Sequence, residues 1–254
     1  MCLAIVAFRA HSRYPLIIAA NRDEFHARAT APAAWWPNGV LAGKDLSAGG
    51  TWLGCTPRGR YALLTNFREG GTRKTGLRSR GLLVTDVLLA QESPEKTLLK
   101  MLGTAGEYDA FNLLAGDGDE LVYLSNRDGG CRALPPGVYG LSNDLLDTPW
   151  PKLRRTKTRV IEWLEEGAED IETLFAHLRD PSRPEDRELP STGVSLEWER
   201  LLGAAFIVNP DYGTRCTTVL RIDAQGQAEF LERRFGAASD VEGEQRFTFA
   251  IDRS

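Results

Sequence analysis

The chain has 254 residues, of which 42% are hydrophobic, 26% charged and 9% aromatic. This composition is typical of a globular protein, and the length suffices for a sizeable core without disulfide bridges. The 31 Lys and Arg residues against 35 Asp and Glu residues give a formal charge of -4. This balance argues against partners such as nucleic acids and anionic membranes.

The four cysteines, Cys2, Cys55, Cys131 and Cys216, are widely spaced, and the chain has three histidines. The spacing fits neither a zinc site nor a disulfide framework, so we expect no metal and free thiols. No basic region precedes the first apolar residues, and no apolar run is long enough to span a membrane. We therefore expect a cytoplasmic location without stable membrane insertion.

Apolar runs separated by turn residues predict strands, with helices in pairs between groups of strands. The strands are predicted at residues 3–8, 16–20, 49–54, 60–66, 111–115, 120–125, 138–142, 204–208, 217–222, 229–233 and 247–251. The helices are predicted at residues 79–91, 93–102, 148–166 and 171–178. This order indicates an α+β fold with sheets between helical layers. Because composition does not shift along the chain, we expect a single domain over residues 1–254 with a surface loop at 180–190.

Cys2 stands directly after the initiator Met1, and a side chain this small normally permits removal of the methionine. An amino-terminal cysteine carries a nucleophile and a base in one residue, because its α-amine has a pKa of about 7.7–8.0. If Met1 is retained, that nitrogen is an amide and the base is lost. The alternative is that Cys2 is a small apolar residue at the start of an edge strand.

Polar residues follow several predicted strands. The run Asn21-Arg22-Asp23-Glu24-Phe25 stands where the second strand is expected to end. Asn66 and Asn143 end two later strands, where an amide N–H can face a developing oxyanion. Arg215 stands at the entry of another strand, where it can meet an acyl carboxylate, a phosphate or Glu24. The alternative for each is a solvated turn with local ion pairs.

Basic residues cluster at 68–80 and at 152–159. The first cluster, with Arg68 and Arg73, directly follows Asn66 and contains glycines that would let it move as a lid. It is the better candidate for holding the anionic groups of a ligand, although solvated faces are the commoner meaning of such runs. Among the histidines, His26 is the one to test as an axial ligand or auxiliary base.

Several short motifs occur in order along the chain. They are Met1-Cys2, AANRDEF at 19–25, GGTWLG at 49–54, LTN at 64–66, YGLSN at 139–143, TPWPKL at 148–153 and GTR at 213–215. In this combination they resemble the NRDE family, also called transport and Golgi organisation protein 2 homologues. That family is regarded as similar to the N-terminal nucleophile hydrolases, in particular the choloylglycine hydrolase and penicillin V acylase branch. The resemblance implies a four-layer αββα sandwich of two antiparallel sheets between helices.

The resemblance also implies roles for individual residues. Cys2 corresponds to the nucleophile, Asn66 and Asn143 to oxyanion-type asparagines, and Arg215 to a late arginine. An Arg-x-x-Asp-Phe pattern of the hydrolases falls on residues 21–25, with Asn21 in place of the arginine and Glu24 in place of the aspartate. A cation beside the thiolate must then come from elsewhere, and Arg22 and Arg215 are the candidates.

Two functions follow from these observations. In the first, Cys2 attacks a linear amide or thioester without a cofactor, with Glu24, Asn66, Asn143 and Arg215 as catalytic residues. The substrate-binding residues of this interpretation are Asn21, Arg22, Asp23, Arg68 and Arg73. In the second, which the family implies, the same cleft binds haem or acyl-CoA without turnover and serves haem trafficking or lipid homeostasis.

Overall fold

The computed structural model describes residues 2–70 and 76–252, and of Cys2 it describes the backbone. The strands are β1 (Cys2–Phe8), β2 (Leu16–Phe25), β3 (Thr30–Trp35), β4 (Leu41–Asp45), β5 (Leu53–Cys55), β6 (Tyr61–Asn66), β7 (Phe111–Gly116), β8 (Leu121–Ser125), β9 (Cys131–Leu134), β10 (Gly137–Leu141), β11 (Tyr212–Ile222), β12 (Gln227–Phe235) and β13 (Val241–Ala250). The helices are α1 (Gly81–Leu89), α2 (Pro94–Leu102), α3 (Pro151–Glu165), α4 (Ile171–Leu178) and α5 (Leu196–Leu202).

The strands form two antiparallel sheets. The six-stranded sheet has the order β10-β1-β2-β11-β12-β13, and the seven-stranded sheet runs from β3 to β9 in sequence order. Ala4, Val6 and Phe8 of β1 pack between the two sheets, in a core that includes Leu114 and Phe230. Since side chains alternate along a strand, the other residues of β1 face away from the second sheet.

Helices cover the outer face of each sheet. Leu3 and Ile5 of β1 pack against α3 and α4 in one apolar cluster, which contains Val160 and Leu174. The α1 and α2 helices pack on the outer face of the seven-stranded sheet in a separate cluster. The layers are therefore helix, sheet, sheet and helix, which confirms the predicted α+β sandwich. Among the described residues, no helix is both long and apolar enough to cross a membrane.

Four helices begin and end close to their predicted positions. The α2 helix begins after Ser93, whose hydroxyl accepts a hydrogen bond from the Lys96 N–H, and Pro94 occupies its first turn. The α4 helix begins after Asp170, whose carboxylate accepts from two backbone N–H groups of the first turn. The predicted loop at 180–190 is irregular apart from a short 3-10 turn, Asp186–Glu188.

The prediction for the end of β2 was wrong. The strand does not stop at Ala20 but continues through Phe25, so the NRDEF run lies within it. It continues because β11 pairs with β2 as far as Phe25, opposite Tyr212. Backbone pairing thus holds these polar residues in an extended conformation that their composition alone does not favour.

Further differences lie in the first 66 residues and around residue 204. The sequence predicted four strands up to residue 66, whereas β1 to β6 all fall there, with β3 and β4 missed. The strand predicted at 204–208 is an irregular segment, buried over residues 204–207, in which the Phe206 N–H donates to the Asp180 carbonyl. Its apolar composition reflects burial and not strand pairing. The β9 strand and the α5 helix were also missed.

The core between the sheets predicts a stability test. Phe230 is fully buried there, and we expect Phe230→Ala to lower the free energy of unfolding by about 3–5 kcal/mol, through lost apolar burial and a residual cavity. The half-exposed Leu99 on α2 offers a control, and Leu99→Ala should change stability by less than about 0.5 kcal/mol. Urea denaturation measures both, and equal effects would contradict the assigned layering.

Candidate functional site

The six-stranded sheet has a stepped edge where β1 begins. Cys2 pairs with Arg22 at the end of the β1–β2 ladder. Beyond this point β2 continues over residues 23–25, paired with residues 212–214 of β11. We call these two paired segments the β2–β11 extension. Through it, Asp23, Glu24 and Phe25 extend beyond the residue of β2 that pairs with Cys2.

A cavity of about 640 Å³ adjoins the β2–β11 extension. Arg22, Asp23, Glu24 and Asn66 line it, together with residues 76–81 of the loop before α1. The structure therefore brings together four of the residues that the sequence indicated. The volume of the cavity lies within the range usual for small-molecule sites, and the walls of the cavity combine charged and aromatic side chains.

Arg22 is a buried cation at the register position opposite Cys2. Its guanidinium lies over the Trp52 ring, 4.3 Å from the ring centroid, and its Nη1 donates to Thr30 Oγ1 at 3.2 Å. A cation–π contact of this kind holds a guanidinium in place without neutralising its charge. Arg22 is therefore the arginine that the fold puts next to the start of β1.

Asp23 is the buried carboxylate of the site. Its Oδ1 accepts a hydrogen bond from Thr214 Oγ1 at 2.7 Å, and its carbonyl accepts one from the Tyr212 hydroxyl at 3.1 Å. Burial raises the pKa of Asp23, while the nearby charge of Lys152, the hydrogen bond from Thr214 and the charge of Arg68 oppose the rise. Desolvation and the adjacent cations thus act on this carboxyl in opposite directions.

Lys152 is the residue that sequence analysis missed. It was assigned to a basic cluster on a solvated face, but it is buried in the first turn of α3, close enough to Asp23 to influence its charge. The TPWPKL motif contained a signal, because Trp150 and Pro151 bury the beginning of α3 and carry Lys152 inside with them. Buried lysines normally have a charged partner or a chemical task.

Glu24, the predicted counterpart of the hydrolase aspartate, is more exposed than Asp23. One carboxylate oxygen accepts the Phe25 N–H at 2.9 Å, and the other lies 3.8 Å from Arg28. Arg28 also pairs with Asp45 at 2.8 Å. Glu24 lines the cavity but belongs to a partly solvated ion-pair group on its wall.

The two predicted oxyanion residues, Asn66 and Asn143, lie next to each other, and one of them lines the cavity. Asn143 is fully buried, and its Nδ2 donates to the Asn66 carbonyl at 2.9 Å. The Asn143 carbonyl in turn accepts the Arg68 N–H at 2.6 Å. Only Asn66 of this pair lines the cavity. Asn143 thus fixes the backbone around Asn66, while the Asn66 side chain has access to a ligand.

Like Asn143, the predicted site residues Asn21 and Arg215 do not line this cavity. The Asn21 amide is buried towards the helices, where Nδ2 donates to the Leu178 and Ala205 carbonyls and Oδ1 accepts from the Thr217 hydroxyl. Arg215 donates through Nη1 to the carbonyls of residues 25, 26 and 28. Arg215 lines a separate cavity of about 30 Å³. The described hydrogen bonds of both side chains are made within the protein, and so they stabilise the fold.

Arg68 forms a buried ion pair. Its Nη1 lies 2.6 Å from Glu199 Oε2, and its guanidinium stacks over the Trp150 ring. The other Glu199 oxygen accepts two hydrogen bonds from Thr192. The pair fixes α5 to the end of β6. Arg73 lies outside the described residues, as do Met1 and the Cys2 side chain.

His26 lies beside the β2–β11 extension but outside the large cavity. Burial and the nearby Arg215 lower the pKa of its imidazole. Within residues 2–70 and 76–252, no group of three or more His, Cys, Asp and Glu side chains is arranged to hold a metal ion.

Solved structures with the same layered architecture define the class. The chain aligns with penicillin V acylase from Agrobacterium tumefaciens at a TM-score of 0.53 and 12% identity, over 98% of this chain and 86% of that one. A conjugated bile acid hydrolase from Clostridium perfringens aligns at a TM-score of 0.50 and 9% identity, over 100% and 98%. The fold is therefore that of the N-terminal nucleophile hydrolases.

Sequence comparison identifies the family within this fold. The Transport and Golgi organisation 2 family matches residues 1–237. The chain is 36% identical to the Transport and Golgi organization protein 2 homologs of Bos taurus and Homo sapiens, each over 92% of both chains. The Drosophila melanogaster protein is 29% identical over 86% of both. The chain belongs to the Transport and Golgi organisation 2 family, which confirms the resemblance inferred from its motifs.

The buried Arg68–Glu199 pair predicts a large effect of removing one partner. Glu199→Ala leaves the Arg68 guanidinium desolvated without its carboxylate, and we expect a loss of about 3–5 kcal/mol in the free energy of unfolding. Glu197, exposed on the same helix, supplies the control, and Glu197→Ala should stay within about 0.5 kcal/mol of the parent protein. Thermal and urea unfolding test this. Similar losses in the two variants would mean that the pair does not anchor α5.

Proposed function

We propose that the protein hydrolyses or transfers the acyl group of a linear amide or thioester, with Cys2 as the nucleophile after removal of Met1. One observation carries the proposal: the start of β1 pairs with the buried cation Arg22 at the border of the cavity. The fold supports it, because penicillin V acylase and conjugated bile acid hydrolase share this architecture. Fold alone does not define a reaction, so the argument rests on the site.

The proposed reaction has two steps. The α-amine of Cys2 takes the thiol proton while sulfur forms a bond to the substrate carbonyl carbon. The carbon–nitrogen or carbon–sulfur bond then breaks, and the proton passes to the leaving amine or thiol. Water, deprotonated by the same amine, then attacks the acyl-enzyme thioester. The carbon–sulfur bond to Cys2 breaks, the acid leaves, and the amine returns the proton to the thiolate. Transfer to a second amine or thiol in place of water follows the same course.

The surrounding residues have distinct proposed roles. Arg22 stabilises the thiolate of Cys2. It thereby takes the role of the arginine that the hydrolases have at the position of Asn21. Asp23, with Lys152 beside it, orients the amino terminus, whereas the sequence had indicated Glu24 as the catalytic carboxylate. The Asn66 amide stabilises the oxyanion, and Asn143 positions Asn66 through its carbonyl.

Family membership suggests a second function. The relatives are named for transport and Golgi organisation, and a carrier of haem or acyl-CoA would use the same cavity without turnover. Arginines on the cavity wall can approach anionic groups, but Arg28 pairs with Asp45 at 2.8 Å and Arg80 lies 3.9 Å from Asp109. A polyanion must compete with these carboxylates, which favours the hydrolase proposal.

The hydrolase proposal predicts that Cys2 is both the amino terminus and essential for turnover. Intact-mass measurement should show loss of Met1, and a panel of acyl amides and thioesters should contain substrates whose hydrolysis Cys2→Ala reduces by at least about 10³-fold. Cys131→Ala, which removes a partly buried thiol on β9, should retain full activity. A mass that includes Met1 eliminates the amine base. Ligand binding with no turnover in either protein supports the carrier.

The role of Arg22 predicts a shift in thiol reactivity. We expect Arg22→Gln to raise the apparent pKa for iodoacetamide alkylation of Cys2 by about one unit or more, because an opposite charge nearby favours the thiolate. Peptide mapping assigns the alkylated residue, and the rate is followed against pH. Arg215→Gln removes the other candidate cation and should leave the profile unchanged. A shift in that variant alone would assign the role to Arg215.

A further inference from the structure

Three aromatic side chains meet at the end of the β2–β11 extension. The Phe25 and Tyr212 rings lie 5.0 Å apart, Tyr212 and Trp198 are 5.5 Å apart, and Phe25 and Trp198 are 6.3 Å apart, all edge to face. All three line the large cavity. Tyr212 is buried, whereas Phe25 is 49% and Trp198 37% exposed. We call this cluster the aromatic ledge. It offers an apolar wall to any molecule in the cavity.

The ledge is held in position from two sides. The Tyr212 hydroxyl donates to the Asp23 carbonyl, and Phe25 is the last residue of β2. Trp198 lies on α5, next to Glu199, which the buried ion pair with Arg68 anchors. Rings that are already ordered give apolar contact area at a low entropic cost on binding.

The distance along β2 sets the size of a group that reaches the ledge. Phe25 follows Arg22 by three residues, which at about 3.3 Å per residue in a strand separates the backbone of Phe25 from the Cys2 register position by roughly 10 Å. With carbon–carbon bonds of about 1.5 Å in zigzag, an extended alkyl chain covers that distance with roughly eight carbons. An acetyl group at Cys2 would not reach the ledge.

The rest of the cavity lining includes charged side chains beside apolar ones such as Trp52 and Leu64. Arg28 with Asp45, and Arg80 with Asp109, supply paired charges there. An apolar chain would leave these ions desolvated, so it is favoured on the aromatic side. The amine or thiol part of a substrate, being polar, suits the charged side. The cavity therefore distinguishes the two ends of an acyl amide.

We propose that the aromatic ledge binds the apolar end of a medium-length acyl group, of about eight carbons, and so makes the protein selective for such acyl amides or thioesters over acetylated ones. This inference rests on the proposed function, because it takes Cys2 as the point of attack. It adds the chemical class of the acyl group, which the site residues around Cys2 leave open.

Binding to the Cys2→Ala variant tests the ledge without turnover. N-octanoylglycine and N-acetylglycine share one head group and differ in chain length, and calorimetry should show the octanoyl compound binding at least about tenfold more tightly. Adding Trp198→Ala should weaken N-octanoylglycine about tenfold and leave N-acetylglycine unchanged. Trp35 is the matched control, since it is 40% exposed and packs edge-on against Phe249 outside the cavity. Trp35→Ala should change neither affinity.

Three results would contradict the proposed role of the aromatic ledge: equal affinities for the two probes, no binding of N-octanoylglycine, or equal effects of Trp198→Ala and Trp35→Ala. If Trp198→Ala does not fold, Phe25→Ser at the exposed strand end replaces it with the same expectation. Turnover by the Cys2-containing protein separates this inference from the proposed function. Cleavage of both probes with equal kcat/KM would support the hydrolase activity and contradict the selectivity of the aromatic ledge. Selective binding without cleavage would support the selectivity of the ledge and contradict the hydrolase activity.

Discussion

The site depends on one constraint, the continuation of β2 past the start of β1. Beyond Arg22 the strand has β11 as its partner, and the ladder runs through Phe25 opposite Tyr212. This pairing satisfies the backbone of a segment whose side chains are mostly charged, and so allows Arg22 and Asp23 to be buried. A strand that ended at Ala20 would release the NRDE residues into a solvated turn. The same continuation places Asp23, Glu24 and Phe25 on the wall of the cavity.

Burying these charges imposes a second requirement, because each desolvated ion needs compensation. The structure meets it in three different ways. Arg22 stacks on Trp52, Asp23 has the Thr214 hydroxyl and the charge of Lys152, and Arg68 pairs with Glu199. These contacts join the six-stranded sheet to the start of α3 and to α5. Polar groups in the site thereby set the positions of elements that no apolar cluster would fix uniquely.

The sequence predicted the buried strands and four of the helices, because apolar runs and capping residues such as Ser93 signal them locally. It missed β3, whose residues are mostly exposed and include Pro32, so that no alternation marks it. It predicted a strand at 204–208, because the apolar residues of this mostly buried, irregular segment resemble those of a buried strand. At the site, position and resemblance indicated Arg22 and Asn66, which line the cavity, whereas the role of Cys2 stays a prediction. The burial of Asp23 in preference to Glu24 depends on the pairing of β2 with β11. The burial of Lys152 depends on how the start of α3 packs, and both are long-range features that the local sequence does not show.

The charge pattern around the cavity bears on how a substrate would be selected. Carboxylates of Glu24, Asp45 and Asp109 stand near the arginines of the wall, so the wall has little net charge to attract a strongly anionic ligand over a neutral one. Arg22 is more buried than Arg28 and Arg80 and lies opposite Cys2 in the register, where in the proposed mechanism its charge acts on the thiol. In the proposed function, discrimination between substrates then falls to the aromatic ledge. There, each additional methylene buried against the rings of Phe25 and Trp198 adds binding energy that does not depend on salt.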